Sequence, residues 1–182
     1  MNKNKVNVKD ISIAALLTAL ALAIPTIMPF KLIVEPIFSA TFAAHVPGIL
    51  AMFISPFAVV GTAVGSALGF LVATGNLAIV FRAFSHFIFG LLGYKMLTKK
   101  MNIFLVAALT GIIHAAAEIV VAIISFKFVG IPENATSFLL VTVGCGTFIH
   151  HCVDFAISIA IIFALKSARL LKTDINIKSL KG

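Results

Sequence analysis

Residues 77–96, LAIVFRAFSHFIFGLLGYKM, decide how this chain is read. The run is apolar enough to cross a bilayer, yet it carries Arg82, and His86 follows one helical turn later on the same face. A guanidinium at the middle of a bilayer costs about 2.5–3.5 kcal/mol on insertion scales. The run therefore belongs to a protein that offers Arg82 a buried carboxylate, a water-filled cavity or an anionic ligand.

The rest of the chain has the same character. Of its 182 residues, 61% are hydrophobic and 11% charged, and the mean hydropathy is +1.16, which excludes a soluble globular domain and places the chain in the cell membrane as a multi-pass protein. The net charge of +8 does not mark a nucleic-acid binder, because the basic residues sit at the ends of apolar runs and form no stripe on a polar domain. Cys145 and Cys152 are separated by roughly 10 Å of helical rise, too far for a disulfide, and read as small core residues. The opening MNKNKVNVKD followed by an apolar run resembles a signal peptide, but the run is long enough to span, and it reads as a retained first helix.

Working outward from residues 77–96, turn signals divide the chain into six spans: 11–29, 37–55, 57–73, 77–98, 102–126 and 138–165. Ser55-Pro56 separates the second from the third, and Gly144-Cys145-Gly146 marks a change from distortion to helix within the long sixth. Gly61, Gly65 and Gly69 share one face of the third, a surface for close helix contact whose simplest use is packing within the protein. Six spans leave nothing for a soluble domain, so the fold class is an all-α bundle of six transmembrane helices in one domain, residues 1–182. Eleven basic residues (Lys3, Lys5, Lys9, Lys95, Lys99, Lys100, Lys166, Arg169, Lys172, Lys178 and Lys181) fall on one side, against Lys31, Arg82 and Lys127 on or near the other. That asymmetry puts both termini in the cytoplasm.

Placed by depth, the polar residues collect. His86, His114 and the pair His150 and His151 lie near the middles of spans four, five and six, and His45 lies near the middle of span two. Arg82 and Glu118 stand one turn further out, and Asp154 one turn further in. Arg82 and His86, His114 and Glu118, and His150 and Asp154 are i,i+4 pairs, so each helix presents a polar face. Three accounts fit. The groups satisfy one another, with Arg82 and Glu118 as a buried ion pair. Alternatively they line an outward ligand cavity, where Arg82 takes a carboxylate through its planar fork and the imidazoles serve a small heteroaromatic ring. A metal site is the third account, but Arg82 beside the cluster disfavours a cation and no HExxH pair is present, so no metal is expected.

Catalysis has little to stand on. Ser85 and His86 are adjacent and point apart on a helix, and no glycine-rich phosphate loop is present. The chain is read as a non-enzyme without a cofactor, and any uphill transport must draw on an ion gradient or another protein. In the first span Ala15, Ala19 and Ala23 form a ridge of small residues on one face, a surface another helix can approach closely.

Six spans, an Ala-xxx-Ala first helix (Ala15 to Ala19), an outward polar cluster and the absence of an ATPase motif together resemble the substrate-binding S component of an energy-coupling factor (ECF) vitamin transporter. The wording AHVPGILAMFISP at 44–56, the glycine-rich third span and FRAFSHFIFGLLG at 81–93 look most like the niacin-type branch. The resemblance implies capture of a small vitamin, niacin above all, in a pocket mapping to Asn76, Arg82, His86, His114, Glu118 and His150 or His151, with Asp154 and Glu35 at its margins. It implies a lid over Lys31 to Phe38, with Lys127 to Ser137 beside it. It also implies a membrane scaffold (T) subunit contacting Ala15, Ala19 and Ala23, and two cytoplasmic ATPase subunits that supply the energy. The competing expectation is a stand-alone proton- or metal-coupled carrier that uses the histidine layer.

Overall fold

The structure is a computed structural model that describes residues 8–168. Lys3, Lys5, Arg169, Lys172, Lys178 and Lys181, used above for orientation, lie outside the described residues. Helix α1 (Val8–Ile27) is followed by a hairpin of strands β1 (Lys31–Val34) and β2 (Phe38–Thr41), and then by a short helix α2 (Val46–Ala51). Next come α3 (Pro56–Thr74), α4 (Leu77–Phe84), α5 (His86–Thr98) and α6 (Ile103–Val129). The chain closes with one turn, α7 (Ala135–Ser137), a π-helix (Phe138–Cys145) and α8 (Gly146–Ser167). Among the described residues five helical stretches, counting α4 with α5 and α7 with α8, are long and apolar enough to cross a membrane.

The second expected span is the one the fold corrects. Residues 37–55 do not form a membrane-length helix: they hold β2, a corner in which Ala43 adopts a left-handed φ of 63°, and the six residues of α2. The antiparallel register pairs Lys31 with Thr41 and Val34 with Phe38, so the turn falls on Glu35, Pro36 and Ile37. Proline at 36 and again at 47 limits helix here, because a ring nitrogen donates no hydrogen bond and position 47 is tolerated only in the first turn of α2. The bundle is all-α as expected, but this segment contributes a strand and a short helix in place of a membrane-length one.

Helices α1 and α3 pack backbone to backbone, and the glycines are the reason. A Cβ at Gly61 would lie 2.7 Å from Thr18 Oγ1, one at Gly65 would lie 2.5 Å from Thr18 O, and one at Gly69 would meet the Leu22 backbone. Lipid tails are as apolar as the side chains, so helices in a membrane associate through such close van der Waals contact. Thr18 faces Gly61 and Gly65 while Leu22 faces Gly69, so α1 and α3 run parallel. The segment 28–55 must then carry the chain back through the thickness of the bundle. Ala44 packs with Ile24 and Phe70, while Ala51 and Ile54 pack with Ile13 and Ala14, which traces that return.

The remaining helices alternate in direction. Gly90 faces Val59, Gly93 faces Thr110, and Gly111 faces Phe148 and His151. The break between α4 and α5 falls at Ser85, whose hydroxyl donates to Arg82 O at 2.7 Å. In the last stretch the π-helix ends at Cys145, beside the glycines that marked a distortion in the sequence. Lys9, Lys95, Lys99, Lys100 and Lys166 consequently share one end of the bundle, and Lys31 and Lys127 the other. At that other end the hairpin turn is driven into the bundle: Ile37 and Phe38 are buried against Ala78, Ala122, Phe126 and Val143.

Candidate functional site

Beneath the hairpin the five histidines, Arg82, Glu118 and Asp154 gather from α4, α5, α6, α8 and the residue before α2 into one cluster, all buried except the half-buried His150. The i,i+4 spacing on α6 puts His114 and Glu118 on one inward stripe, and α8 does the same for His150 and Asp154. His45, the residue before α2, sits at the centre. Its ring centroid lies 4.5–4.7 Å from those of His86, His114 and His150, in each case edge to face.

Arg82 and Glu118 form an ion pair, with both side chains almost fully buried. Arg82 Nη1 also donates to Ile37 O in the hairpin turn, and its guanidinium lies 5.0 Å from the centroid of the Phe38 ring. Glu118 Oε2 takes a further hydrogen bond from Thr147 Oγ1 at 2.5 Å. Its other oxygen, Oε1, faces His114 Nε2 at 3.3 Å and His86 Nε2 at 3.5 Å. The hairpin is thus fastened to the charged centre through the Ile37 carbonyl.

Asp154 is fully buried and its carboxylate is committed to the main chain. It accepts the N–H of Ala43 at 3.0 Å and that of His45 at 2.9 Å, and His150 Nε2 lies 2.9 Å from Oδ2. These bonds hold the corner between the hairpin and α2, where Ala43 has its left-handed backbone. Asn76 is similarly engaged: it caps α4 by accepting from Ala78 N at 3.0 Å and donates to Pro36 O at 2.9 Å. Of the residues expected in the pocket, Arg82, His86, His114, Glu118, His150 and His151 are brought together. Asp154 and Asn76 hold the backbone around them, and Glu35 is exposed at the turn. Ala15 and Ala19 are exposed on α1 and Ala23 is half-buried, on a side of the helix away from the buried Ala14, Leu17 and Ala21.

Six buried side-chain atoms among the described residues have no hydrogen-bond partner: Ser39 Oγ, Thr41 Oγ1, His45 Nδ1, Ser66 Oγ, Arg82 Nε and His114 Nε2. Residues bearing four of them (Ser39, Thr41, His45 and Arg82) line a single void with Glu118, His86, Ala44, Phe70, Ile79 and Ala83. Its volume is about 10 Å³, roughly what one water occupies. A buried donor without a partner costs about 1–3 kcal/mol, so such groups gathered around one void mark a place built to receive polar atoms. A larger groove of about 810 Å³ opens beside it between the hairpin and α8, with Phe38, His150 and Asp154 in its wall.

Ser39, Thr41 and His45 were not among the expected pocket residues. His45 was legible as a fourth buried imidazole at the same depth. Ser39 and Thr41 were not, because in a run read as helix they looked like isolated hydroxyls, whereas alternation along β2 turns them together.

No family model matches the chain, and no solved structure matches it. Among proteins of established function, the chain is 36% identical over 166 residues to the niacin transporter NiaX of Lactococcus lactis subsp. cremoris (strain MG1363), an alignment that takes in 86% of this chain and 74% of the relative. Identity at that level over that share of both chains, carried by an apolar helical bundle with a buried polar centre, shows common descent and does not favour a stand-alone carrier. The chain belongs to the NiaX family, the niacin-type S components of energy-coupling factor vitamin transporters.

Proposed function

We propose that this chain captures niacin from outside the cell, and that the carboxylate of nicotinate is received at Arg82. The observation that carries the reading is the buried Nε–H of Arg82, left without a partner while Nη1 and Nη2 are engaged, facing a void shared with the unpartnered hydroxyls of Ser39 and Thr41. Those three donors suit one carboxylate. His86 lines the same void, with the ring of His114 4.8 Å behind it, and these imidazoles suit the ring nitrogen; Phe89, whose ring centroid lies 4.4 Å from that of His114, offers an apolar face to the ring. A void of about 10 Å³ does not hold nicotinate. Binding therefore requires the Ile37–Phe38 turn to withdraw from Arg82 and return over the ligand, opening into the neighbouring groove.

In the same reading the chain is one transmembrane domain with six crossings, the second made by the hairpin corner and α2, and both termini face the cytoplasm. The parallel packing of α1 with α3 supports this, as does the collection of lysines at one end. Ala15 and Ala19 offer a membrane scaffold subunit a smooth exposed face, and ATP hydrolysis belongs to two separate cytoplasmic subunits. Replacing Ala19 by Leu should abolish co-purification with such a scaffold while leaving ligand binding intact.

The ligand assignment is tested by titrating nicotinate and nicotinamide into purified protein. Nicotinate should bind at submicromolar concentration, and nicotinamide and the Arg82→Ala variant should each be weaker by at least tenfold, about 1.4 kcal/mol. Equal affinity for acid and amide would remove Arg82 from its role.

A further inference from the structure

The same cluster contains a second arrangement, one that shares His86 and His114 with the proposed niacin site. We propose that His86, His114 and Glu118, with His45 as a fourth ligand, form a binding site for a divalent transition-metal ion of the zinc class. One ligand atom from each of the four residues lies within 4.8 Å of the others, and all four residues are buried.

The hydrogen-bond chain behind His114 supplies the argument. Thr110 Oγ1 donates its only proton to Val106 O at 2.6 Å, so towards His151 Nε2, 3.0 Å away, it accepts. His151 therefore carries its proton on Nε2 and presents a lone pair at Nδ1. Nδ1 of His114, 3.2 Å from that lone pair, is the donor. The neutral imidazole of His114 is then left with a lone pair at Nε2. That lone pair lies 3.3 Å from Glu118 Oε1, and Nε2 has no assigned hydrogen-bond partner. A lone pair beside a carboxylate oxygen is repulsive unless a cation lies between them.

Two of the spacings already match a metal site, and the rest of the set, which is grouped within 4.8 Å, would draw in around the ion. Ligand atoms about 2.0–2.2 Å from a tetrahedral zinc are about 3.3–3.5 Å from one another, and the distances from Glu118 Oε1 to His114 Nε2 and His86 Nε2 are 3.3 and 3.5 Å. The outer contacts are those of a metal centre. Thr110 and His151 fix the tautomer of His114, and Arg82 and Thr147 hold Glu118 by Oε2 and leave Oε1 free. Arg82, which argued against a cation in the sequence, is neutralised by the carboxylate it shares. Three neutral imidazoles and one carboxylate form a donor set suited to zinc, cobalt or nickel.

The test uses tag-free, chelator-treated full-length protein without vitamin. It is titrated with Zn²⁺ by calorimetry and with Co²⁺ by visible absorption. One ion per chain at micromolar or tighter affinity is expected, with the intense d–d bands of tetrahedral cobalt that Zn²⁺ removes. His86→Ala and His114→Ala should each weaken binding at least tenfold, and His150→Ala should not. Failure of folded wild-type protein to bind either ion overturns the proposal and identifies His114 as a protonated partner of Glu118. Loss of binding in His150→Ala with retention in His86→Ala also overturns it, moving the ion to His45, His150 and Asp154. Because vitamin is absent, neither result bears on niacin binding.

Discussion

Glu118→Gln tests the charged centre most directly. The substitution keeps the shape of a side chain whose Oε2 receives Arg82 and Thr147, but it removes the one charge that, among the described residues, is paired with a guanidinium that is 2% exposed. Breaking a buried ion pair from one side costs about 3–5 kcal/mol, because the remaining charge has neither its partner nor water. For a chain of this size each kcal/mol lowers the melting temperature by about 2–4 °C, so a fall of about 6–20 °C is expected. Nicotinate brings a carboxylate to the same guanidinium, and a charge-assisted hydrogen bond contributes about 1.5–3 kcal/mol. Saturating nicotinate should consequently raise the melting temperature of Glu118→Gln by more than it raises that of wild type. The assay is thermal unfolding in detergent with chelator present, with and without vitamin, on wild type, Glu118→Gln, Arg82→Met and the double variant. The double variant should lose less than the sum of the singles, since it leaves no lone charge. A fall of under about 1 kcal/mol in Glu118→Gln would show that Arg82 is solvated. An equal vitamin-induced rise in wild type and variant would refute the argument that Arg82 receives the carboxylate.

Two further outcomes follow from the same geometry. Asp154→Asn replaces a carboxylate that accepts from Ala43, His45 and His150 with a group that presents an N–H to one of them; it should destabilise the protein by about 2–4 kcal/mol and open the 41–45 corner, read as faster amide exchange at Ala43 and His45. Gly65→Leu puts a side chain against the backbone carbonyl of Thr18 and should prevent α1 from seating, giving protein that aggregates on extraction, whereas Gly75→Ala, where a Cβ meets nothing, costs only the backbone strain of φ 65°, about 1 kcal/mol in a denaturation midpoint.

The amino-acid sequence by itself determined the environment of this protein and the depth of its polar groups. Composition and the length of the apolar runs dictate a membrane bundle because no other solvent tolerates so much exposed hydrocarbon. Helical periodicity is a local property, so i,i+4 spacing alone placed His114 with Glu118 and His150 with Asp154, and the glycines of α3 on one contact face. Which partners the charges take is not local. Arg82 meets Glu118 across 36 positions, and Asp154 reaches the backbone of Ala43 across 111. Only the folded chain shows that Asp154 and Asn76 bond to the backbone of the hairpin and the 43–45 corner, because a carboxylate or amide in a sequence does not reveal which amide groups will be left unpaired around it. The segment 37–55 carries the same lesson. Its hydrophobicity reads as a span, but its corner and strand are stabilised by tertiary bonds to Asp154 and Arg82, and those bonds bring Ser39, Thr41 and His45 to the centre of the site.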